Sequence, residues 1–429
     1  MSTAAAHEVC INNFFPPRGL LRHLRSAPQL YRAVGCLRFP KDPVSITEEP
    51  TFWTTLCIGR HTTEEFLAVV LDRSGALPLY LSIDATAHRK LVEAWDRPPR
   101  SVQPQPLLIF TEMLRFRFAP HFWRVSTVHL EAQLYGDWHA VFSAITALPA
   151  PRVRNLSVSA DWVSRNPLPI FTAAAWSNLA ELQACRLLPV IGDPKSYQAL
   201  SCVTLQSIKN FDADTLLCFL ASLPLLQHLE LRRVRCPSSF TVREVSLLSL
   251  RKLLVSYSQD EPQPVWGGIH APKLRELVIE LAGNATASSV AAHCSHLLPP
   301  VHNFTLECPP HHPPPPDALW AAFRDVRSIN VNGGGESVSI SLWEWFRRNP
   351  QAWRSLETIT FAHHVDCESA TNFLGSRSTQ TASAGVRLLC MDKGGEEGKW
   401  VEYSIVGEEV VLKSLAGRTL GGMDIGLKV

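Results

Sequence analysis

One pattern of apolar residues recurs along most of this chain and limits what the chain can fold into. The pattern is apolar-x-x-apolar-x-apolar, and successive copies begin 21 to 30 residues apart. Such a rhythm predicts short structural units stacked on one another, each covering the apolar side of the next. The first residues of the eleven copies are Val125, Val153, Leu179, Leu200, Leu226, Leu250, Leu274, Val301, Val326, Leu356 and Val386.

The last three positions of each copy are predicted to form a short strand, because alternate residues of a strand point to opposite faces. The residues between the inward apolar positions are mostly polar, whereas a parallel sheet covered on both sides is apolar on both. We therefore predict an α/β fold, a leucine-rich-repeat solenoid in the form of an irregular horseshoe with a parallel concave sheet and convex helices. The plainly apolar outward positions are Leu254, Val278, Ala362 and Leu388.

Apolar residues at helical spacing occupy several segments between the strands and predict the convex helices. Trp343 and Trp345 lie in one such segment and are expected to pack in the core or on the surface. The segments are Asp137–Leu148, Asp212–Leu223, Ala285–Leu298 and Ser341–Arg348. Many leucine-rich repeats carry an Asn two residues beyond the strand, where its side chain ties adjacent loops together. In this chain those positions hold Gln133, Asp161, Leu187 and Val234. The ladder of hydrogen bonds between the loops is therefore predicted to be irregular.

The repeat pattern divides the chain into three predicted regions. Residues 51–365 form the solenoid, with two further copies of the motif at Trp53 and Pro78. Residues 1–50 do not match the motif and are expected to form a helical cap or a degenerate F-box-like region. Residues 366–429 are expected to hold a linker (Gly375–Gly385), the final repeat, and a β-hairpin cap built from 400–405 and 410–412.

Charge and cysteine usage narrow the function classes. The chain has 41 basic and 39 acidic residues, a formal net charge of +2, and no long run of one sign. Because the charges balance, we expect the chain to bind neither nucleic acid nor a membrane surface. Eleven scattered cysteines without a CxxC pair favour a reducing compartment. With no leader pattern at the N-terminus, we expect a cytoplasmic or nuclear chain that is monomeric outside its complex.

The sequence offers only weak candidates for a catalytic or a metal-binding site. No Gly-x-Ser-x-Gly, HExxH or strand-linked GxGxxG motif occurs, so we expect no enzyme activity and no cofactor. One cluster of imidazoles and thiols has zinc-ligand chemistry, but its spacings fit no zinc-finger pattern, and we predict no metal site. That cluster comprises His293, Cys294, His296, His302, Cys308, His311 and His312.

Two N-terminal segments carry a resemblance to a known family. Residues 50–58, PTFWTTLCI, followed by residues 71–83, LDRSGALPLYLSI, resemble fungal F-box/leucine-rich-repeat proteins. In that family a Pro-x-Leu-Trp segment closes the F-box and an Arg-Ser-Gly-x-x-Pro-Leu segment opens the repeats. Residues 122–124, FWR, and 223–231, LPLLQHLEL, are similar to further recurring pieces. The resemblance covers roughly residues 50 to 365.

The resemblance implies a substrate receptor of a cullin-based ubiquitin ligase. The repeats would hold the target protein, and an F-box within residues 1–50 would hold a Skp-type adaptor. Only residues 34–39, VGCLRF, remain of the expected box, so the F-box is degenerate or missing. The alternative is a stand-alone leucine-rich-repeat scaffold without a role in ubiquitination.

The outward strand positions carry seven acidic residues and two basic ones, so the expected partner is a protein with a basic or polar surface. The acidic positions are Glu131, Glu181, Glu230, Glu276, Glu280, Glu307 and Asp392, and the basic ones are Arg232 and Lys252. The central strands give the predicted contact patch on the concave face. It comprises His228, Glu230, Arg232, Lys252, Glu276, Glu280, Asn303 and Glu307.

Overall fold

A computed structural model of the chain shows a mixed α/β fold with a mostly parallel sheet in each of its two units. The region predicted as a cap or F-box, residues 1–50, lies outside the described residues, as does the predicted helix at 285–298. The structure describes residues 53–58, 64–84, 106–132, 135–160, 168–169, 176–190, 197–209, 211–235, 244–258, 265–282, 301–309, 312–323, 325–349, 351–365, 367–378, 386–391, 400–406 and 409–414.

The helices of the described segments include the three predicted ones that fall there. They are α1 (Glu64–Arg73), α2 (Pro106–Phe118), α3 (Tyr135–Thr146), α4 (Ala213–Ala221), α5 (Asp317–Ala321), α6 (Glu336–Arg348) and α7 (Cys367–Ser378), with 3-10 turns at Ala119–Arg124 and Val265–Gly268. None of these helices is both long enough and apolar enough to cross a membrane.

A strand forms at each position where the apolar motif predicts one. The strands are β1 (Thr55–Ile58), β2 (Leu79–Asp84), β3 (Val125–Ala132), β4 (Asn155–Ala160), β5 (Leu168–Pro169), β6 (Glu181–Cys185), β7 (Pro189–Val190), β8 (Cys202–Gln206), β9 (His228–Arg232), β10 (Val245–Ser246), β11 (Lys252–Ser258), β12 (Ile269–His270), β13 (Glu276–Ala282), β14 (Asn303–Cys308), β15 (Ser328–Gly333), β16 (Thr358–Phe361), β17 (Arg387–Met391), β18 (Trp400–Val406) and β19 (Glu409–Ser414).

The chain divides into two compact units. The first unit comprises residues 1–211 and 218–225, and the second comprises 212–217 and 226–429. In the first unit the strands lie parallel in the order β1-β2-β3-β4-β6-β8. In the second unit β9-β11-β13-β14-β15-β16-β17 are parallel, and β18 and β19 then add the antiparallel hairpin that the sequence predicts. Short parallel pairs, β5 with β7 and β10 with β12, lie apart from these sheets.

The strands of the second unit pair in phase, so their inward side chains line up in rows across the sheet. In the row given next each side chain is at most 2% exposed, and this removal of apolar surface from water is the main favourable term in forming the sheet. One row consists of Leu229, Leu253, Leu277, Phe304, Ile329, Ile359 and Leu388.

Aromatic side chains extend the core of the second unit behind the sheet. The Phe304 ring lies 4.3 Å from Phe323, centroid to centroid. Trp343 stacks on Phe373 at 4.6 Å, and Trp345 lies 4.7 Å from Trp353. The two tryptophans singled out from the sequence therefore pack against other aromatic rings, as expected.

The backbone at the strand entries is held by one recurring pair of hydrogen bonds. The carbonyl oxygen of Arg251 accepts from the N–H groups of both Arg275 and Glu276, at 2.9 and 3.0 Å. Main-chain atoms alone make these bonds at the strand entries. The irregular ladder predicted from the missing Asn concerns the loops beyond the strand ends, so it stays a prediction. The carbonyls that accept two such bonds belong to Arg154, Ala180, Gln227, Arg251, Arg275, His302 and Arg327.

The predicted register of the last parallel strand is wrong by one residue. Leu388 pairs with Ile359 and Cys390 with Phe361, so Leu388 and Cys390 point inward. The sequence pattern instead placed Leu389 and Met391 inward and Leu388 outward. Residues 388–391 are all apolar, so alternation of polar and apolar residues does not show which face of the strand points inward. Pairing with β16 sets the register.

The predicted linker at Gly375–Gly385 is also corrected in part. Its first four residues, 375–378, form the last turn of α7. Glycine and serine lower helix propensity without preventing a helix that packs against a sheet, and Phe373 and Leu374 are buried. The remaining residues, 379–385, lie outside the described segments.

A fully buried arginine fixes the start of the first unit's sheet. The Arg124 side chain is 0% exposed, and its Nη2 donates to the carbonyl of Leu71 at 3.0 Å. Its Nη1 donates to the carbonyl of Leu77 at 3.3 Å. Leu71 lies in the last turn of α1, where the free carbonyls favour a cation. Arg124 therefore ties α1 and the loop after it to the entry of β3.

A glycine at the end of β15 gives a test of the close packing in the second unit. Gly333 has φ +83°, and a Cβ there would overlap the carbonyl oxygen of Cys308 on β14. We expect Gly333→Ala to lower the free energy of unfolding by about 2 kcal/mol or more, measured by urea denaturation.

Gly75→Ala, in the turn after α1, is the control. Gly75 also has a positive φ, +55°, but a Cβ there would meet no atom within 4 Å. This variant should lose only about 1 kcal/mol, the cost of a left-handed conformation for an L-residue. Equal losses for the two variants would contradict the overlap with Cys308.

Candidate protein-binding face

The predicted contact residues all lie on the outward face of the second unit, on strands β9, β11, β13 and β14. Strand pairing arranges the outward side chains in three rows across the sheet. The lower row is His228, Lys252, Glu276, Asn303 and Ser328; the middle row is Glu230, Leu254, Val278, Thr305 and Asn330; the upper row is Arg232, Ser256, Glu280, Glu307 and Asn332.

Acidic side chains of the middle and upper rows gather around one arginine. Arg232 Nε lies 3.2 Å from Glu230 Oε2, and Arg232 Nη1 lies 3.6 Å from Glu280 Oε2. Glu307 is the register partner of Glu280 on the next strand. We call Glu230, Glu280, Glu307 and Arg232 the acidic cluster. Three carboxylates and one guanidinium leave it a formal charge of −2 at neutral pH.

The environment of Glu307 reflects this excess of negative charge. Its pKa is raised above the usual value, first by burial and then by the neighbouring carboxylate of Glu280, with a smaller effect of Glu230. Arg232 and a hydrogen bond from the Asn332 side chain act in the opposite direction. The raised pKa means that the folded protein holds the Glu307 carboxylate less favourably than water does.

Several oxygens around the acidic cluster lack donors. Ser256, next to Glu280 in the upper row, is only 5% exposed, and its Oγ has no hydrogen-bond partner among the described residues. The same holds for Glu280 Oε2 and for Asn330 Oδ1. Asn330 uses its Nδ2 to donate to Thr305 Oγ1 at 3.4 Å. A buried oxygen without a donor costs the folded protein free energy.

The middle row contributes an apolar strip below the acidic cluster. Leu254 and Val278 are register partners and are 5% and 6% exposed. Both were identified from the sequence as apolar exceptions on a polar face. They exclude water next to Glu280, and this strengthens electrostatic interactions there.

The lower row is electrically balanced. Lys252 Nζ lies 2.7 Å from Glu276 Oε1, and both side chains are about one-third exposed. Such a surface pair contributes at most about 1 kcal/mol. His228 and Asn303, the ends of the predicted patch in this row, are exposed. The structure thus brings Glu230, Arg232, Glu280 and Glu307 together and pairs Lys252 with Glu276 separately.

Sequence reasoning missed Ser256 as part of this surface. Asn330 and Asn332 lie at outward positions that the repeat pattern predicts, but they were left out of the predicted contact patch. The signal was present, because Ser256 lies two residues beyond the outward Leu254 and two before Ser258. Of the other predicted acidic positions, Glu131 and Glu181 are exposed on strands of the first unit, and Asp392 lies outside the described residues.

The imidazole and thiol cluster does not form a metal site within the described segments. No group of three His, Cys, Asp or Glu residues is placed there to hold a metal ion. Burial and the adjacent Glu307 raise the pKa of the Cys308 thiol to about 12, which opposes the thiolate that zinc requires. His293, Cys294, His296 and His311 lie outside the described residues.

A depression on the second unit is lined mainly by Ala321, Phe323, Trp345, Ala352 and Trp353 and has a volume of about 410 Å³. Its charged lining residues are Asp325 and Arg354. They provide no pair of acid and base side by side with a nucleophile, which a catalytic site needs. The face with the acidic cluster is therefore the better candidate site.

No protein-family model matches the chain. No curated protein matches it either.

The strained carboxylate of Glu307 gives a test of the site's electrostatics. In the unfolded chain this carboxyl has its ordinary pKa near 4.5, and in the folded protein the pKa is higher. Its ionisation therefore costs stability, and the cost grows as the pH rises through the folded pKa. Glu307→Gln should be more stable than the wild type at pH 7, by less than about 1 kcal/mol, in urea denaturation.

Below pH 4.5 the carboxyl is protonated in both states, so the difference between the variant and the wild type should vanish near pH 4. Glu131→Gln, an exposed outward position of the first unit, is the control. A Glu307→Gln protein that is less stable than the wild type at pH 7 would show that the carboxylate is favourably bound.

Proposed function

We propose that this chain is a protein-binding leucine-rich-repeat solenoid whose outward sheet face recognises a basic surface on a partner protein. The observation that carries the proposal is the acidic cluster, in which Glu230 and Glu280 pair with the guanidinium of Arg232 and Glu307 lies beside Glu280. A sheet that needed only to be soluble would be expected to mix charges of both signs, as the neighbouring pair of Lys252 and Glu276 does.

The solenoid part of the proposal is supported by topology and spacing. Parallel strands follow one another in chain order within each unit, and their inward residues recur at the spacing of leucine-rich repeats. In such an architecture each unit contacts only its neighbours, and a long sheet face is left open for binding. This face carries charges and acceptors but no assembled catalytic group, so binding rather than an enzymatic reaction is proposed.

A role in ubiquitination rests on the resemblance of residues 50–58 and 71–83 to fungal F-box/leucine-rich-repeat proteins. The chain would then be the substrate-recognition subunit of a cullin-based ubiquitin ligase in the cytoplasm or nucleus, with residues 1–50 contacting a Skp-type adaptor. A stand-alone scaffold is the second candidate, favoured by the poor match of residues 1–50 to an F-box. Both candidates use the same partner-binding face.

Charge reversal within the acidic cluster tests the binding function. In affinity purification from cells of the source organism, the wild-type chain should capture partners that Glu280→Lys/Glu307→Lys does not. Two reversed charges facing a basic partner exchange attraction for repulsion, and we expect at least a tenfold loss of captured partner. Quantitative mass spectrometry of the bound proteins measures it.

The matched control is Glu131→Lys/Glu181→Lys, which makes the same change of net charge on exposed outward positions of the first unit. Glu276 is left unchanged, because its reversal would also place a lysine opposite Lys252. Identical partner sets for the wild type and the Glu280→Lys/Glu307→Lys variant would refute binding through this face.

Adaptor binding separates the two candidates. A ligase receptor should copurify with a Skp-type adaptor, and a chain that starts at Glu49 should lose the adaptor while it keeps the partners held by the acidic cluster. A full-length chain that captures partners without any adaptor would favour the scaffold. The measurement is the same mass spectrometry, with adaptor peptides quantified in both preparations.

A further inference from the structure

Two large aromatic side chains of the first unit are exposed where helix α2 continues into the 3-10 turn Ala119–Arg124. Phe116, in the last turn of α2, is 74% exposed, and Trp123, in the 3-10 turn, is 43% exposed. An aromatic ring left in water forgoes the large free energy that its burial would contribute. Such rings are enriched at the centres of protein interfaces, so this pair is a candidate for contact with another molecule.

The two exposed rings and the exposed Pro120 between them follow one another at intervals of four and three residues, the spacing of neighbours on a helix surface. The backbone stays helical at the junction, because Phe118 has φ −91° and ψ −26°. Phe118 and Phe122 instead point into the unit, where their rings pack with 6.2 Å between centroids. We call Phe116, Pro120 and Trp123 the exposed strip.

Positive charges border the exposed strip. The guanidinium carbon of Arg152 lies 4.9 Å from the centroid of the Trp123 ring, which is a cation–π contact. Arg115 is the chain neighbour of Phe116 and is exposed. The ion pairs formed within the described segments involve other residues, so no carboxylate there neutralises Arg115 or Arg152. The strip therefore offers apolar surface and uncompensated positive charge side by side.

A ligand that matches this surface carries carboxylates and apolar side chains close together. The cation–π contact uses no hydrogen-bond acceptor, so the N–H donors of Arg152 can still bind a carboxylate. Nucleic acid fits less well, because phosphates are bound by a longer basic track and α2 also carries Glu112. A membrane fits less well, because anionic lipids are recognised by clusters of about four to eight basic residues.

We propose that the exposed strip, together with Arg115 and Arg152, is a second protein-binding site, which takes a partner segment that carries acidic and apolar side chains. Trp123 and Arg152 are of the residue types most enriched among the residues that dominate binding energy at interfaces. The site lies wholly within the first unit and uses no residue of the acidic cluster. It therefore goes beyond the proposed function and does not rest on it.

The test titrates three fluorescent peptides with the full-length chain in physiological salt and measures their dissociation constants by fluorescence anisotropy. Four repeats of Asp-Phe-Gly supply carboxylates and rings together. Four repeats of Asp-Ser-Gly supply the carboxylates alone, and four repeats of Ser-Phe-Gly supply the rings alone. We expect the Asp-Phe-Gly peptide to bind about tenfold more tightly than either of the others, because only this peptide matches both the charge and the apolar surface of the site.

Two single variants assign the binding to the exposed strip. Phe116→Ser removes an apolar contact and Arg152→Gln removes a positive charge, so each should weaken binding of the Asp-Phe-Gly peptide about fivefold. Leu248→Ser and Arg347→Gln are the matched controls, because they make the same kinds of change at exposed positions of the second unit. The controls should leave the affinity unchanged. Thermal unfolding of each variant verifies that it is folded.

Failure of the Asp-Phe-Gly peptide to bind at about 1 mM, or to bind more tightly than the other two peptides, would overturn the site. An affinity that Phe116→Ser and Arg152→Gln leave unchanged would do the same.

Two further measurements check for a different occupant. Cosedimentation with vesicles of phosphatidylcholine and phosphatidylserine that Phe116→Ser abolishes would overturn the proposal in favour of a membrane. A dimer in sedimentation velocity that Phe116→Ser disperses would overturn it in favour of a second copy of the chain. None of these outcomes involves Glu280 or Glu307, so the proposed function is tested separately.

Discussion

Parallel pairing in register is the constraint on which the rest of this structure depends. At seven strand entries two N–H groups donate to the carbonyl of the residue that precedes the neighbouring strand, as those of Arg275 and Glu276 do to the carbonyl of Arg251. Strands joined in this way start at the same level. The inward residues form rows that exclude water, and the outward residues are brought into equally strict rows whether or not their charges match.

The outward rows explain why two carboxylates lie next to each other on this face. A side chain in a sheet cannot move away from its cross-strand neighbour, so Glu280 and Glu307 remain adjacent. The apolar pair Leu254 and Val278 keeps water away from one side of them. Burial of Glu307 and its neighbour Glu280 raise the pKa of the Glu307 carboxyl. Strand register thus places the carboxylates of Glu280 and Glu307 side by side, with less positive charge around them than would neutralise them.

The sequence predicts those elements whose apolar residues alternate with polar ones. Strands such as Leu229-Glu230-Leu231 have one possible inward face, and their position and register follow from it. Residues 388–391 are apolar throughout, so only pairing with β16 shows that Leu388 and Cys390 point inward. Helices α1 and α2 precede β2 and β3 outside the repeat motif, and the sequence reasoning did not predict them.

The binding patch was predictable as a set of charges but not as a site, since ion pairing depends on distances between strands. Nothing in the sequence assigns Arg232 to Glu230 and Glu280 while Lys252 pairs with Glu276. Nor does it show that the Ser256 hydroxyl is buried.

Like charges on directly opposed strands are unfavourable in the free protein, and neutral polar residues fill equivalent places elsewhere in the sheet, as Thr305 and Asn330 do. Under the proposed function, a basic surface on the partner protein offsets the repulsion between Glu280 and Glu307. The free energy that the pair costs the unbound face is then returned on binding, so the same two residues weaken the free protein and select its partner.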